Sequence, residues 1–215
     1  MARKLATLTA AVLLLAPAAS RAQVLLGARL GYAFGGGDVG NFSSGSIHMS
    51  DWTKSQVPVQ FDLLFKVAPS LAIGPYASLA WAQPGGDLQD LCDSAGMDCN
   101  ATIMRLGVEA MFTVPQPGPF KPWFGAGLGY EWSKVHTTGG GASGDRTLGG
   151  FEFLNLQAGG DLKIAPLFRI GPFVQLSLAQ YSSVDSSGGW GDLNHIPSKK
   201  VHEWFQIGVR GMFDL

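Results

Sequence analysis

The chain has 215 residues, 30 of them glycine, with 46% hydrophobic and 14% charged side chains and a formal net charge of −1. No basic run or basic excess points to nucleic acid. Past the leader, no apolar run reaches the roughly 20 residues that a helical membrane span needs.

The chain opens with Arg3 and Lys4, followed by an apolar run from Leu5 to Ala19 and the small-residue pattern Ser20-Arg21-Ala22. These three parts make a secretory signal peptide, residues 1–22, cut after Ala22. They leave one domain, residues 23–215, of a size that suits a single fold. The compartment is oxidising, so Cys92 and Cys99, close together in one polar stretch, are expected to form a local disulfide. Two thiols alone lack the partners of a zinc site.

Eight alternating segments follow. The first is Val24–Phe34, with Leu26, Ala28, Leu30, Tyr32 and Phe34 on one face and Gly27, Arg29 and Gly31 on the other. A Gly/Ser-rich stretch, Gly35–Lys54, reads as a loop. The second and third segments form a hairpin over Gln60–Ala82, turning at Ala68-Pro69. Its sequence recurs 97 positions later at Gln157–Ala179, sharing Lys-x-Ala-Pro and Ile-Gly-Pro. Between the copies lie the polar loop Gln83–Asn100, segment four (Thr102–Val114), a Pro/Gly turn at Pro115–Pro119, segment five (Pro122–Val135) and the loop His136–Gly150. Segments six and seven, Phe153–Ile164 and Phe168–Tyr181, make up the second copy. A last loop, Ser182–Lys199, leads to segment eight, Val201–Leu215.

Side chains of a strand alternate between two faces. Here one face is bulky, apolar and uncharged along the middle of each segment. The other is rich in Gly, Ala and Ser, and carries Arg29, Asp62, Lys66, Arg105, Glu109, Glu131, Asp161, Lys163, Arg169 and Arg210, with Asp214 near a rim. Small residues and a few long charged ones suit the narrow lumen of an eight-stranded barrel. The apolar face then meets lipid. Its aromatics sit at segment ends: Phe65, Phe112, Phe124, Phe168 and Phe213 near the short turns, and Tyr32, Phe34, Trp81, Tyr130 and Trp132 near the long loops. Two girdles around an aliphatic band match the two lipid–water interfaces. Connections alternate long and short, the rhythm of an up-and-down meander. The expected fold is therefore all-β: an eight-stranded antiparallel up-and-down transmembrane β-barrel. Pro75 and Pro172 interrupt strands in both copies, and a bulge or bend is expected there.

On this pattern, on Pro122-Trp123-Phe124-Gly125-Ala126-Gly127-Leu128-Gly129-Tyr130 and on the closing strand, the chain resembles the small outer-membrane β-barrel proteins of the OmpA/OmpX-type and OmpW-like superfamily. The resemblance implies the bacterial outer membrane, contact with its lipid, and handling by the barrel assembly machinery. Family members commonly end in an aromatic residue. This chain ends Phe213-Asp214-Leu215, with the aromatic two places earlier.

The ten charges of the inner face are expected to form an ion network that plugs the lumen, because unpaired buried charge is costly. An ion path is the alternative. Of the four histidines, His48, His136 and His195 fall in loops and His202 near a strand start. Some small barrels are lipid A deacylases, with a His-Tyr-Ser motif. The corresponding stretch here is Gln180-Tyr181-Ser182-Ser183, where glutamine replaces the base, so no catalytic residue is assigned. Asp87, Asp90, Asp93 and Asp98 lack the spacing of a calcium loop, and Asn100-Ala101-Thr102 is only a short glycosylation pattern. No cofactor is expected. Ile47, Met49, Trp52, Trp190 and Ile196 either form a contact surface or pack over the barrel mouth. The function expected is a non-enzymatic barrel with a structural or surface role. Passage of small apolar molecules is the alternative, and lipid A modification a weaker one.

Overall fold

The computed structural model describes residues 23–42, 45–139, 142–188, 196 and 198–215; the leader, Trp190 and His195 lie outside them. Eight strands close a barrel: β1 (Val24–Phe42), β3 (Thr53–Ala68), β4 (Leu71–Pro84), β5 (Asp98–Thr113), β6 (Phe120–Gly139), β7 (Ala142–Ala165), β8 (Phe168–Gly188) and β10 (Val201–Asp214). Each pairs antiparallel with its neighbour in sequence, and β10 closes on β1 from Leu25↔Asp214 to Gly37↔His202. Closure leaves no unpaired edge, as lipid requires. The short strands β2 (Gly45–His48) and β9 (Ser198–Lys199) both pair with the far end of β1. Among the described residues there are two helices, α1 (Met49–Trp52) and α2 (Gly86–Ser94).

The outward face is the apolar one. Leu30, Leu106, Val108, Val209 and Ile207 are each at least half exposed, in mid-strand. No helix among the described residues is long and apolar enough to cross a membrane. Aromatic neighbours mark both borders. Tyr32 and Phe34 meet edge to face at 4.9 Å and Tyr130 lies 4.6 Å from Trp132 at one border, and Phe168 lies 4.6 Å from Phe213 at the other.

All four long stretches expected as loops contain regular structure. β1 continues eight residues past Phe34. The β6–β7 hairpin stays paired from Trp132↔Gly149 to Gly139↔Ala142, and β7–β8 to Gly144↔Gly188. Half of the Gln83–Asn100 stretch is α2. At about 3.3 Å per residue, the β6–β7 ladder rises roughly 20 Å beyond the outer girdle. Its glycine content and changed polarity hid it from a reading tuned to lipid-facing strands.

The bulge expected at Pro75 and Pro172 is absent. Asp62 faces Tyr76 and Phe65 faces Ile73, the same register on either side of Pro75. Gly159↔Phe173 and Leu162↔Ile170 flank Pro172 in the same way. Proline removes one donor from the ladder without shifting it. The preceding glycine is set by space: a Cβ on Gly74 would sit 1.9 Å from the Leu63 carbonyl oxygen, and one on Gly171 1.9 Å from that of Gly160. Strand β7 does hold a bulge, between Glu152 and Leu154 in its pairing with β8.

Candidate functional site

Among the described residues, functional groups gather in the lumen. Large inward side chains stand opposite small ones on the adjacent strand. Asp62 faces Gly27, Tyr76 faces Gly107, Trp123 faces Gly159, and Arg210 faces Gly171. A Cβ on Gly159 would lie 2.6 Å from the Trp123 ring. The glycines thus make room for a filled interior.

Three clusters of buried charge run along the axis. Arg29, 1% exposed, is the centre of the first. Its Nε donates to Asp62 at 2.7 Å, its Nη2 to Glu109 at 2.6 Å, and its Nη1 to Gln157. Gln157 Nε2 donates onward to Glu109 at 2.8 Å and to Asn155 at 3.0 Å. Gln60 donates to Asp62 at 2.8 Å, Asn155 to Glu152 at 3.0 Å, and the Tyr76 hydroxyl to Glu152. In the second cluster Glu131 accepts from Arg105 Nε at 2.6 Å, the Tyr181 hydroxyl at 2.5 Å and Trp204 Nε1 at 3.4 Å, and its Oε1 lies 3.1 Å from His202 Nε2. His202 also stacks on Tyr181 with centroids 4.2 Å apart. In the third, Asp161 accepts from Arg210 at 2.5 Å and from Trp123 Nε1 at 3.1 Å, while the Arg210 guanidinium lies 3.5 Å above the Trp123 ring. Arg169 bonds Asp214 at 2.9 Å and lies 3.8 Å from Asp161.

The structure therefore brings together Arg29, Asp62, Arg105, Glu109, Glu131, Asp161, Arg169 and Arg210. It corrects the placement of the two lysines of the repeat. Lys66 and Lys163 face inward by alternation but stand at the short-turn mouth, outside the buried network. Lys66 donates there to Gln23 at 2.7 Å, and Lys163 is exposed. Sequence reasoning missed Glu152. Strict alternation along β7 puts it outward with Leu156; the bulge turns it inward, to zero exposure. The adjacent apolar pair Phe153-Leu154 was the signal of that phase slip. Tyr76, Trp123, Tyr181, His202 and Trp204 were missed too, because a polar aromatic fits either face.

Apolar layers close both ends of this polar middle. Toward the short turns lie Leu25, Leu64, Met111, Trp123, Phe173 and Met212. Toward the long hairpins lie Met49, Trp52, Leu88, Ile103, Val135, Leu148, Val184 and Ile196. Met49, Trp52 and Ile196 are thus buried over the mouth, with Ile47 packed against them, rather than displayed. Trp52 Nε1 donates to Ser133 Oγ at 3.0 Å. Cys92 and Cys99 are bonded, tying α2 to the start of β5.

The serines of the Gln180–Ser183 stretch are not paired with a histidine among the described residues. The Ser182 and Ser183 hydroxyls donate to the Gly149 carbonyl at 3.5 and 3.3 Å. The buried histidine, His202, is engaged by Glu131 instead. Among the described residues no group of three or more His, Cys, Asp or Glu is placed to hold a metal. Outside the membrane, His48 and Asp38 pair across β1–β2 at 2.6 Å. His136 and Lys134 flank Asp145 at 2.6 and 3.1 Å and lower its pKa, the His136 hydrogen bond contributing most.

No protein-family model matches the chain, and no curated protein is significantly similar to it. Solved structures are similar in fold. Neisserial surface protein A matches with a TM-score of 0.56 at 12% identity, over 89% of this chain and 97% of that one. A major outer-membrane protein from Thermus thermophilus matches with a TM-score of 0.53 at 11% identity, over 90% of this chain and 100% of that one. The outward apolar belt, the closed ring of eight strands and these likenesses agree: the chain has the fold of the small eight-stranded β-barrels of the bacterial outer membrane, with its apolar belt facing the lipid.

Proposed function

We propose that the protein is a non-enzymatic barrel with a closed lumen that acts at the cell surface through its long external hairpins. The filled lumen carries this reading. Four arginines and five carboxylates are buried in three hydrogen-bonded clusters along the lumen, with apolar side chains packed toward each end. An ion crossing it would have to displace paired charges from a low-dielectric interior, a step that costs several kcal/mol per ion. The Ser182 and Ser183 hydroxyls are taken up by the Gly149 carbonyl, which supports a non-enzymatic role. The external end supplies the working surface: a stiff, paired β6–β7 hairpin, with α2 held to β5 by the disulfide. During biogenesis the closing strand, with Phe213 outward, is the segment offered to the barrel assembly machinery.

Planar-bilayer recording tests the closed lumen. The folded protein is expected to show no steady conductance, and Arg29→Ala combined with Arg210→Ala to show intermittent current. Stable open channels in the unaltered protein would refute the reading.

A further inference from the structure

The short-turn mouth of the barrel holds a cavity of about 310 Å³ that the closed-lumen reading does not use. Lys66, Lys121, Lys163 and Arg169 line it, with Asp214 as its lining carboxylate and Thr113 as a neutral donor. The two repeat copies place their lysines across from each other. β3 and β7 stand four places apart in the ring of eight, so Lys66 and Lys163 project from opposite walls.

The lysines of this mouth lack the carboxylate partners that Arg29, Arg105 and Arg210 have above it. Among the described residues no carboxylate pairs with Lys66, Lys121 or Lys163. Lys66 bonds the neutral amide of Gln23 at 2.7 Å and Lys121 the Gln116 carbonyl at 2.5 Å. Arg169 is 5% exposed, yet its buried Nε has no hydrogen-bond partner. Its other donors reach Asp214 at 2.9 Å and Asp161 at a long 3.8 Å. Four cations and one lining carboxylate leave an excess of positive charge in a concave site.

Short turns face the periplasm in barrels of this class. We propose that this mouth is a binding site for a phosphate group presented from the periplasmic side. Ammonium groups and a guanidinium offer only donors, converging from several walls, and a phosphate accepts from several directions at once. The cavity is at the small end of ligand sites, sized for a head group rather than a large molecule. Above it the Trp123, Phe173, Met111 and Met212 layer stops the anion at the mouth.

Calorimetric titration of inorganic phosphate into the folded barrel, in an uncharged detergent, tests this. Saturable binding is expected. Lys66→Gln with Lys163→Gln should weaken it by about tenfold, since two of the four charges are lost, whereas Lys134→Gln at the other end should leave it unchanged. In the unaltered chain, phosphate should shift the Arg169 Nε–H resonance, a readout that does not depend on the variants folding. If a lipid head group is the source, phosphatidylglycerol nanodiscs will block phosphate binding and phosphatidylcholine nanodiscs will not. If a soluble ester is the source, glycerol phosphate will bind in both. Binding that the double substitution leaves intact, or no shift at Arg169, would overturn the proposal.

Discussion

Two stretches of this barrel share one continuous ladder of hydrogen bonds and follow opposite rules of polarity. Between the aromatic girdles, Arg29, Glu109 and Asp161 point inward and Leu30, Leu106 and Val209 outward. Past the outer girdle the order inverts. Val135, Leu148 and Val184 point inward, while the Lys134 side chain on the outer wall is about half exposed. The backbone is the same; the medium changes. In lipid, an apolar surface costs nothing outside, and the lumen can hold charge provided every charge is paired. In water, burying apolar groups is favourable, so the external stretch builds the core of a soluble barrel. What α1, α2 and the hairpins cover is therefore a hydrophobic core.

The sharpest way to break this contrast is to unbalance the inner charges. Arg29→Met strands Asp62 and Glu109 without a cation and should cost about 3–5 kcal/mol, read by urea titration of the barrel in vesicles. Adding Asp62→Asn and Glu109→Gln should recover most of that loss. A single substitution that left stability unchanged would mean the network is not what holds the lumen together.

The outer wall offers a second comparison. Leu106→Arg, facing lipid in mid-strand, should cost about 2–4 kcal/mol. Lys134→Gln, on the outer wall beyond the girdle, should stay within about 0.5 kcal/mol. Equal costs at the two positions would erase the distinction between the stretches.

The disulfide acts on the external stretch alone. Cys92 and Cys99 are 7 positions apart, and closing so short a loop contributes at most about 2–3 kcal/mol. Replacing both by serine should speed amide exchange in α2 and leave the unfolding midpoint of the lipid-embedded strands unmoved.

The smallest effect is a pH response at the hairpin tip. His136 and Lys134 depress the folded-state pKa of Asp145. Its pairing therefore supports the β6–β7 hairpin above the ordinary aspartate range, near about 4, and is lost as pH falls through the depressed folded value. Amide exchange near Thr137 and Gly144 should accelerate over that acid window in the unaltered chain. Asp145→Asn should remove the acid dependence.

The layout of strands, faces and girdles followed from period-two alternation, because lipid imposes a single rule on every residue of the spanning band. Arg29, Asp62 and Glu109 were legible as inward for that reason. Glu152 was not, because one bulge in β7 reverses the phase, and a bulge is a property of pairing rather than of local sequence. The hairpin extensions were illegible for a related reason: their polarity follows water, not lipid.

Alternation of apolar and polar residues, repeated around a doubled hairpin, determined by itself that this chain closes as a barrel with charge inside. Only the tertiary structure decided which charges meet, that Lys66 and Lys163 stand at a mouth instead of in the buried clusters, and that Trp52 and Ile196 cap the lumen. Alternation acts on each residue through the medium it faces. Pairing across a lumen depends on register and on side chains arriving from strands far apart in the chain.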